Sequence, residues 1–373
     1  MGTLAVSPCY DLYVGSMHIP DGYLSPSTCA ALYVGAAPFW YVALRRLKRL
    51  LTTRLVPLLS VFAAFCFVVM MFNLPLPGGT TGHAVGVGIA SIVLGPWASI
   101  LAVSIALFIQ AVFFGDGGIT ALGANCLNMA VAGSLVSYLA YRAISGRSPI
   151  DSPRRVLAAG VAGYLGVNVA ALLAAIEFGV QPMLFHDASG APLYAPYPLS
   201  IAIPAMMIGH LTIAGVAEFV VSAGLVAWLQ RSHPSLLRGT APGAPEAANE
   251  NDAAGWRAVR PLLAGLAALM LLTPIGILAA GSAWGEWSPA DFANPAARRQ
   301  IATASSNQNP PTRVPHGLEL LSTVWTAPIP AYAPRFLRSQ SFGYFLSAAF
   351  GAGLILLTAL VADRLFERRR RSG

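Results

Sequence analysis

Charge is scarce in this chain: 10% of its 373 residues are charged and 56% are hydrophobic. So few polar groups cannot cover a globule of that length in water, so the sequence describes a membrane protein. Lysine is almost missing, with Lys48 alone among 23 basic residues. The arginines are scattered between apolar stretches and form no basic face, so the net charge of +8 marks membrane topology and no nucleic-acid partner is expected. Cys9, Cys29, Cys66 and Cys126 form no CxxC pair, which excludes a zinc knuckle and a disulfide framework. Three of them lie in apolar runs, where a thiol packs as a small hydrophobe. There is no HExxH, GxSxG or GxxxxGK[ST] motif, so the chain shows none of these catalytic signatures and no ATPase of its own.

What the chain has in quantity is apolar length. A crossing helix needs about 20 residues, and candidate spans lie at 28–45, 55–73, 82–95, 97–114, 119–141, 155–180, 199–229, 261–281 and 342–363. The third is short. A continuous 82–114 helix would be about 50 Å long, so Gly95-Pro96 is expected to break it. Cations alternate between the connections. Arg45, Arg46, Lys48, Arg49 and Arg54 share a side with Arg142, Arg147, Arg154 and Arg155, then with Arg231, Arg238, Arg257 and Arg260, and finally with Arg364 and Arg368 to Arg371. The intervening connections carry none, apart from the long 282–341 loop, where the charge rule weakens. The expectation is an all-α, nine-span polytopic protein with its N-terminus outside and its C-terminus in the cytoplasm.

Residues 232–255 are rich in Ala, Pro, Gly and polar side chains and predict a cytoplasmic linker. It separates a seven-span block, 17–231, from a two-span block, 256–373, whose long outer loop holds PHGLELLSTVWTAPIPAYAP. Gly-rich spacing through 82–95 and 160–166 predicts close helix contact.

Ionisable groups in or beside a membrane point to function. His233 in the linker and His186 beside Asp187 are surface residues. His18 and His83 stand apart, in MHIPDGYLSP and NLPLPGGTTGHAVG, because the topology places both at one external pocket. Met17 is itself a candidate initiator, which makes residues 1–16 an extension that is untranslated or removed. With Met17 first, its α-amine, the His18 amide nitrogen and the His18 imidazole form fused chelate rings, and His83 completes a planar nitrogen set. That geometry selects Ni(II) or Cu(II) and accommodates Co(II). His210 and Glu218 fall in the seventh span, eight residues apart on one helix face, where they form either an inward polar stripe or packing groups. Asn125 and Asn128 either orient a ligand histidine or bond across helices.

MHIPDGYLSP, NLPLPGGTTGH, GPWAS, FFGDGGITALGANCLNM and GHLTIAGVAEF, in that order over about 17–230, resemble the CbiM/NikM family. Its members are the substrate-binding (S) components of cobalt/nickel energy-coupling-factor transporters in bacterial and archaeal cell membranes. GSAWGEW at 281–287 and PHGLELLSTVWTAPIPAYA at 315–333 resemble the PDGLE-type accessory domain, with His316 in place of its name-giving acid. The resemblance implies a seven-helix core with two further helices and metal ligands at Met17, His18 and His83. It also implies a transmembrane coupling (T) subunit and two cytoplasmic ATPase subunits as partners, no enzymatic activity, and no cofactor beyond the transported Ni2+ or Co2+. His316 is an auxiliary metal contact in this reading. The competing expectations are a stand-alone secondary permease for divalent metal, which needs intramembrane carboxylates, and an intramembrane metal-dependent enzyme built near His210.

Overall fold

The computed structural model describes residues 18–50, 55–237, 239–240, 259–279, 281–334 and 336–371. The 1–16 extension, Met17 and residues 241–258, which hold most of the expected linker, lie outside the described residues. The described chain is mainly helical, and seven of its helices are long and apolar enough to cross a membrane. These include α1 (Pro26–Leu50), which Ser25 caps by accepting the Thr28 N–H at 3.1 Å. α2 (Leu55–Met70) is a shorter apolar helix.

A two-stranded hairpin follows, β1 (Leu74–Leu76) antiparallel to β2 (Thr80–Gly82), and leads to α3 (Val87–Leu94). The remaining long helices of the first block are α4 (Pro96–Phe114), α5 (Leu122–Ser145), α6 (Pro153–Leu184) and α7 (Leu199–Ser232). In the second block α8 (Arg260–Leu278) is followed by three short helices, α9 (Pro289–Ala293), α10 (Pro295–Ala304) and α11 (His316–Leu321), and then by α12 (Gln340–Arg371).

Residues such as Val34, Tyr41, Leu139, Met183, Val220 and Leu271 are each at least 60% exposed. An apolar surface of that kind on long helices faces lipid, so this is a multi-pass membrane protein.

The expected 82–95 span takes an unexpected form. Its helical part has eight residues and is about 12 Å long, which cannot cross a bilayer. Residues 83–86 are non-helical, and Gly86 adopts φ 76° at the start of α3. Backbone N–H groups exposed in this way need acceptors in a dry interior. Glu218 of α7 supplies them: its Oε2 accepts from Val85 and Gly86, both at 2.8 Å, and its Oε1 accepts from Gly88 at 3.0 Å and from the Ser222 hydroxyl at 3.3 Å. Gly95, at φ 77°, and Pro96 at the first position of α4 make the anticipated break. The small-residue stretches meet as expected, since a Cβ on Gly88 would lie 2.7 Å from the Cα of Gly163.

The second block packs against the first along α2. Tyr344 of α12 donates to the Met71 carbonyl at 2.9 Å, and Gly351 lies against the Phe67 ring, leaving no room for a side chain.

Candidate metal centre

The segment after Met17 is no loose tail. His18 and Ile19 are each 3% exposed, and Tyr23 and Leu24 1%. Asn125 pins this segment from both sides: its Oδ1 accepts the Ile19 N–H and its Nδ2 donates to the Ile19 carbonyl, both at 3.1 Å. The Gly118 N–H donates to the same carbonyl at 2.9 Å. Asp21 accepts the Thr120 N–H at 2.7 Å, holding the IPDG turn against the start of α5. The approach is so close that a Cβ on Gly117 would sit 2.9 Å from the Cβ of His18. Gly117 is therefore a steric requirement of the site.

His83 follows directly on β2. Its ring stands perpendicular to that of His18, at 89°, with 5.1 Å between centroids. Imidazoles so placed can both reach one ion, given metal–nitrogen bonds of about 2 Å. The His83 Nδ1 lies 2.9 Å from the Ala84 carbonyl, so it carries the proton and Nε2 has the lone pair. The His18 Nε2 lies 3.2 Å from Gln110 Oε1. An amide oxygen only accepts, so that nitrogen carries the proton and Nδ1 has the lone pair.

Behind Gln110 runs a chain that the sequence did not suggest. Gln110 Nε2 donates to the Tyr332 hydroxyl at 3.0 Å, and that hydroxyl donates to Asp116 Oδ2 at 2.6 Å. Tyr332 belongs to the second block, so the accessory region fixes the histidine ring through one intermediary. Burial first, and then Asp116, raise the Tyr332 pKa well above the usual phenol value.

His18 and His83 line a cavity of about 80 Å3 together with His210, Asn125, Asn128, Trp284 and Glu286. His210 therefore faces the pocket, with its Nδ1 2.8 Å from the Met206 carbonyl. Asn128 also donates to Glu177 Oε2 at 2.8 Å. Three π-helical segments, Gln110–Phe114, Cys126–Gly133 and His210–Ala214, carry Gln110, Asn128 and His210 respectively. Such bulges turn side chains off the regular helical face and recur at functional sites.

Two expected site residues lie elsewhere. Glu218 is fully buried, but its oxygens are occupied in bracing residues 85–88 and it does not line the cavity. His316 is exposed at the start of α11, on a surface groove with Asp187 and Glu319. The Gly317 N–H is drawn to the Leu193 carbonyl at 2.7 Å, which seats the helix but leaves the histidine facing solvent. Among the described residues no three His, Cys, Asp or Glu side chains converge as a metal-binding group. Side chains alone thus bring together two nitrogens, with the backbone of residue 18 beside them.

Residues 18–236 match the CbiM family, described as the cobalt uptake substrate-specific transmembrane region. The fused nickel transport protein NikMN of Rhodobacter capsulatus is 55% identical over 96% of this chain and 100% of its own length. The cobalt transport protein CbiM of Geobacter sulfurreducens is 35% identical over 60% of this chain and 62% of its own. A crystal structure of a truncated transition metal transporter, 48% identical, covers 57% of this chain and 98% of that one with a TM-score of 0.54.

Proposed function

The chain belongs to the CbiM family of nickel and cobalt transport proteins, and from that premise we propose that it is the substrate-capture component of an ATP-driven uptake system for Ni2+ or Co2+. The ion binds at the end of the bundle that the arginine pattern assigns to the outside. It passes inward when the chain is coupled to a transmembrane T subunit and two cytoplasmic ATPase subunits. This chain itself performs no covalent chemistry.

One observation carries this reading, the perpendicular pair of buried histidines 5.1 Å apart in a shared cavity. The lone pair of His18 is on Nδ1, the ring nitrogen nearer its own backbone, and this is the nitrogen that closes a chelate with the amide of the same residue. Met17 supplies the α-amine and His83 the fourth corner. Nitrogen sets of this planar kind favour nickel and accept cobalt, and they exclude the tetrahedral zinc arrangement. The secondary-permease alternative needs a carboxylate that is available to protons within the membrane. The Glu218 oxygens already accept four hydrogen bonds, which argues against that role.

Calorimetry on purified protein tests the ligand set. A chain beginning at Met17 should bind Ni2+ or Co2+ tightly, and one extra residue before Met17 should weaken binding nearly as much as His18→Ala does. Unchanged affinity in a chain that demonstrably retains residues 1–16 would rule out the amine as a ligand.

A further inference from the structure

The second block contributes more to the cavity than a cover. Its GSAWGEW segment runs beside the hairpin that carries His83, where the Thr81 N–H donates to the Ser282 carbonyl at 3.3 Å and Thr81 forms a parallel bridge with Ala283. The segment then turns back on itself. The Glu286 N–H donates to the Ala283 carbonyl at 3.2 Å, and Gly285 takes φ 85° with no space for a side chain against Phe178. Trp284 and Trp287, each 5% exposed, fix the turn on either side. Trp284 Nε1 donates to Ser305 at 3.1 Å, and the Trp287 carbonyl accepts from the Tyr23 hydroxyl at 2.8 Å.

Glu286, which precedes Trp287 in the chain, is on the wall of the cavity that holds His18, His83 and His210. Its Oε2 is buried and has no hydrogen-bond partner among the described residues. Among the described residues no lysine or arginine lines the cavity. A turn held so firmly by aromatic packing would be cheaper to bury with an apolar residue at that position, and an orphaned buried carboxyl oxygen calls for an explanation. A divalent cation supplies one, since it is a partner that a lone carboxylate on such a wall accepts.

We propose that Glu286 forms a second station for the cargo ion: a carboxylate-and-water site on the second block's wall of the cavity that receives the ion before it moves to the nitrogen ligands. It is distinct from the nitrogen set, because no three acidic, histidine or cysteine side chains converge among the described residues. The cavity of about 80 Å3 has room for an ion with a small number of waters. A carboxylate holds a hydrated ion well and releases it readily, whereas a planar nitrogen chelate binds slowly and tightly. The two stations together give capture and then retention. The inference rests on the transport reading given above.

Stopped-flow loading of the purified protein with Ni2+, followed by the absorbance of the nickel–nitrogen complex, separates the two claims. Absence of any nickel complex in a chain that begins at Met17 would remove the transport reading itself. If that complex forms, Glu286→Gln, which keeps the shape of the side chain, should slow its formation about tenfold or more, in line with a lost electrostatic capture site. The final spectrum should be unchanged. A loading rate within twofold of wild type would overturn the proposal, and so would an altered final spectrum, which would place Glu286 in the nitrogen set. A second measurement uses Mn2+, an ion that prefers oxygen donors, with paramagnetic resonance as the readout. In a His18→Ala background Mn2+ should still bind weakly, and adding Glu286→Gln should abolish that binding. Equal Mn2+ binding in the two variants would also overturn the proposal.

Discussion

His18 is held both through its ring and through the backbone that follows it, and each hold has a separable consequence. Its ring is anchored through Gln110, and its chain is fixed by Asn125 and Gly118 on the neighbouring residue. His18→Ala removes the imidazole of the proposed chelate and should abolish nickel binding in calorimetry. His83→Ala removes one corner that water can fill, so weaker binding should remain. Gln110→Leu leaves every proposed ligand in place but removes the contact to the His18 ring and the donor to the Tyr332 hydroxyl, which keeps its bond to Asp116. Loss of such an orienting partner typically costs about 10–100-fold in metal affinity. The nickel spectrum should persist in that variant while the affinity falls, and a wild-type affinity would show that the Gln110 contact is incidental. Protons compete for each nitrogen donor, so affinity in the wild type and in the variants that still bind should decline as the pH is lowered.

At the scale of elements, the partly unwound segment 83–94 depends on Glu218. Glu218→Ala would strand the N–H groups of Val85, Gly86 and Gly88 in a buried setting, each at a cost of about 1–3 kcal/mol. The expected outcome is a large drop in the melting temperature of the detergent-solubilised protein. A melting temperature within 2 °C of wild type, about the precision of such scans, would show that Glu218 is not the brace. This arrangement also explains why part of the site was legible in the sequence and part was not. His18 and His83 stood out because a histidine beside Pro and Gly turns, between apolar spans, has little structural reason to be there. The Gly95-Pro96 break was legible from the dihedral preferences of two residues. The role of Glu218 was not, because helical spacing put it on a face with His210, and a π-segment at His210–Ala214 intervenes between the two. Gln110 and Tyr332 lie 222 positions apart, and Glu286 lies in a loop whose pairing with the hairpin no local pattern announces. Contacts of that separation follow from packing, which periodicity does not encode.

Across the whole molecule, the cavity is closed on several sides. The buried 18–25 segment and the Trp-rich turn of the second block cover it. Toward the other end, Gly88 and Gly163 pack without room for a side chain, and Glu218 locks residues 85–88 in place. Passage of an ion from the proposed nitrogen site past residues 83–88 would therefore require these packed elements to shift. Shifts of interlocked helices occur between discrete states and need a source of free energy that distinguishes those states. The chain carries no nucleotide-binding motif, so that free energy would come from the proposed T and ATPase subunits. Reconstituted alone in liposomes, the protein should bind nickel at a stoichiometry near one and should accumulate none. With the partner subunits and ATP inside, it should accumulate nickel, and that uptake should be lost in His18→Ala. Sustained accumulation by the single chain, driven by a proton gradient, would show that the packing around 83–88 yields without ATP and would replace the coupled mechanism with a permease. Cysteines placed at positions 80 and 148 fix the direction of the process. Position 80 should be labelled by an impermeant reagent from outside the cell and position 148 only from within, and the reverse pattern would invert the capture face.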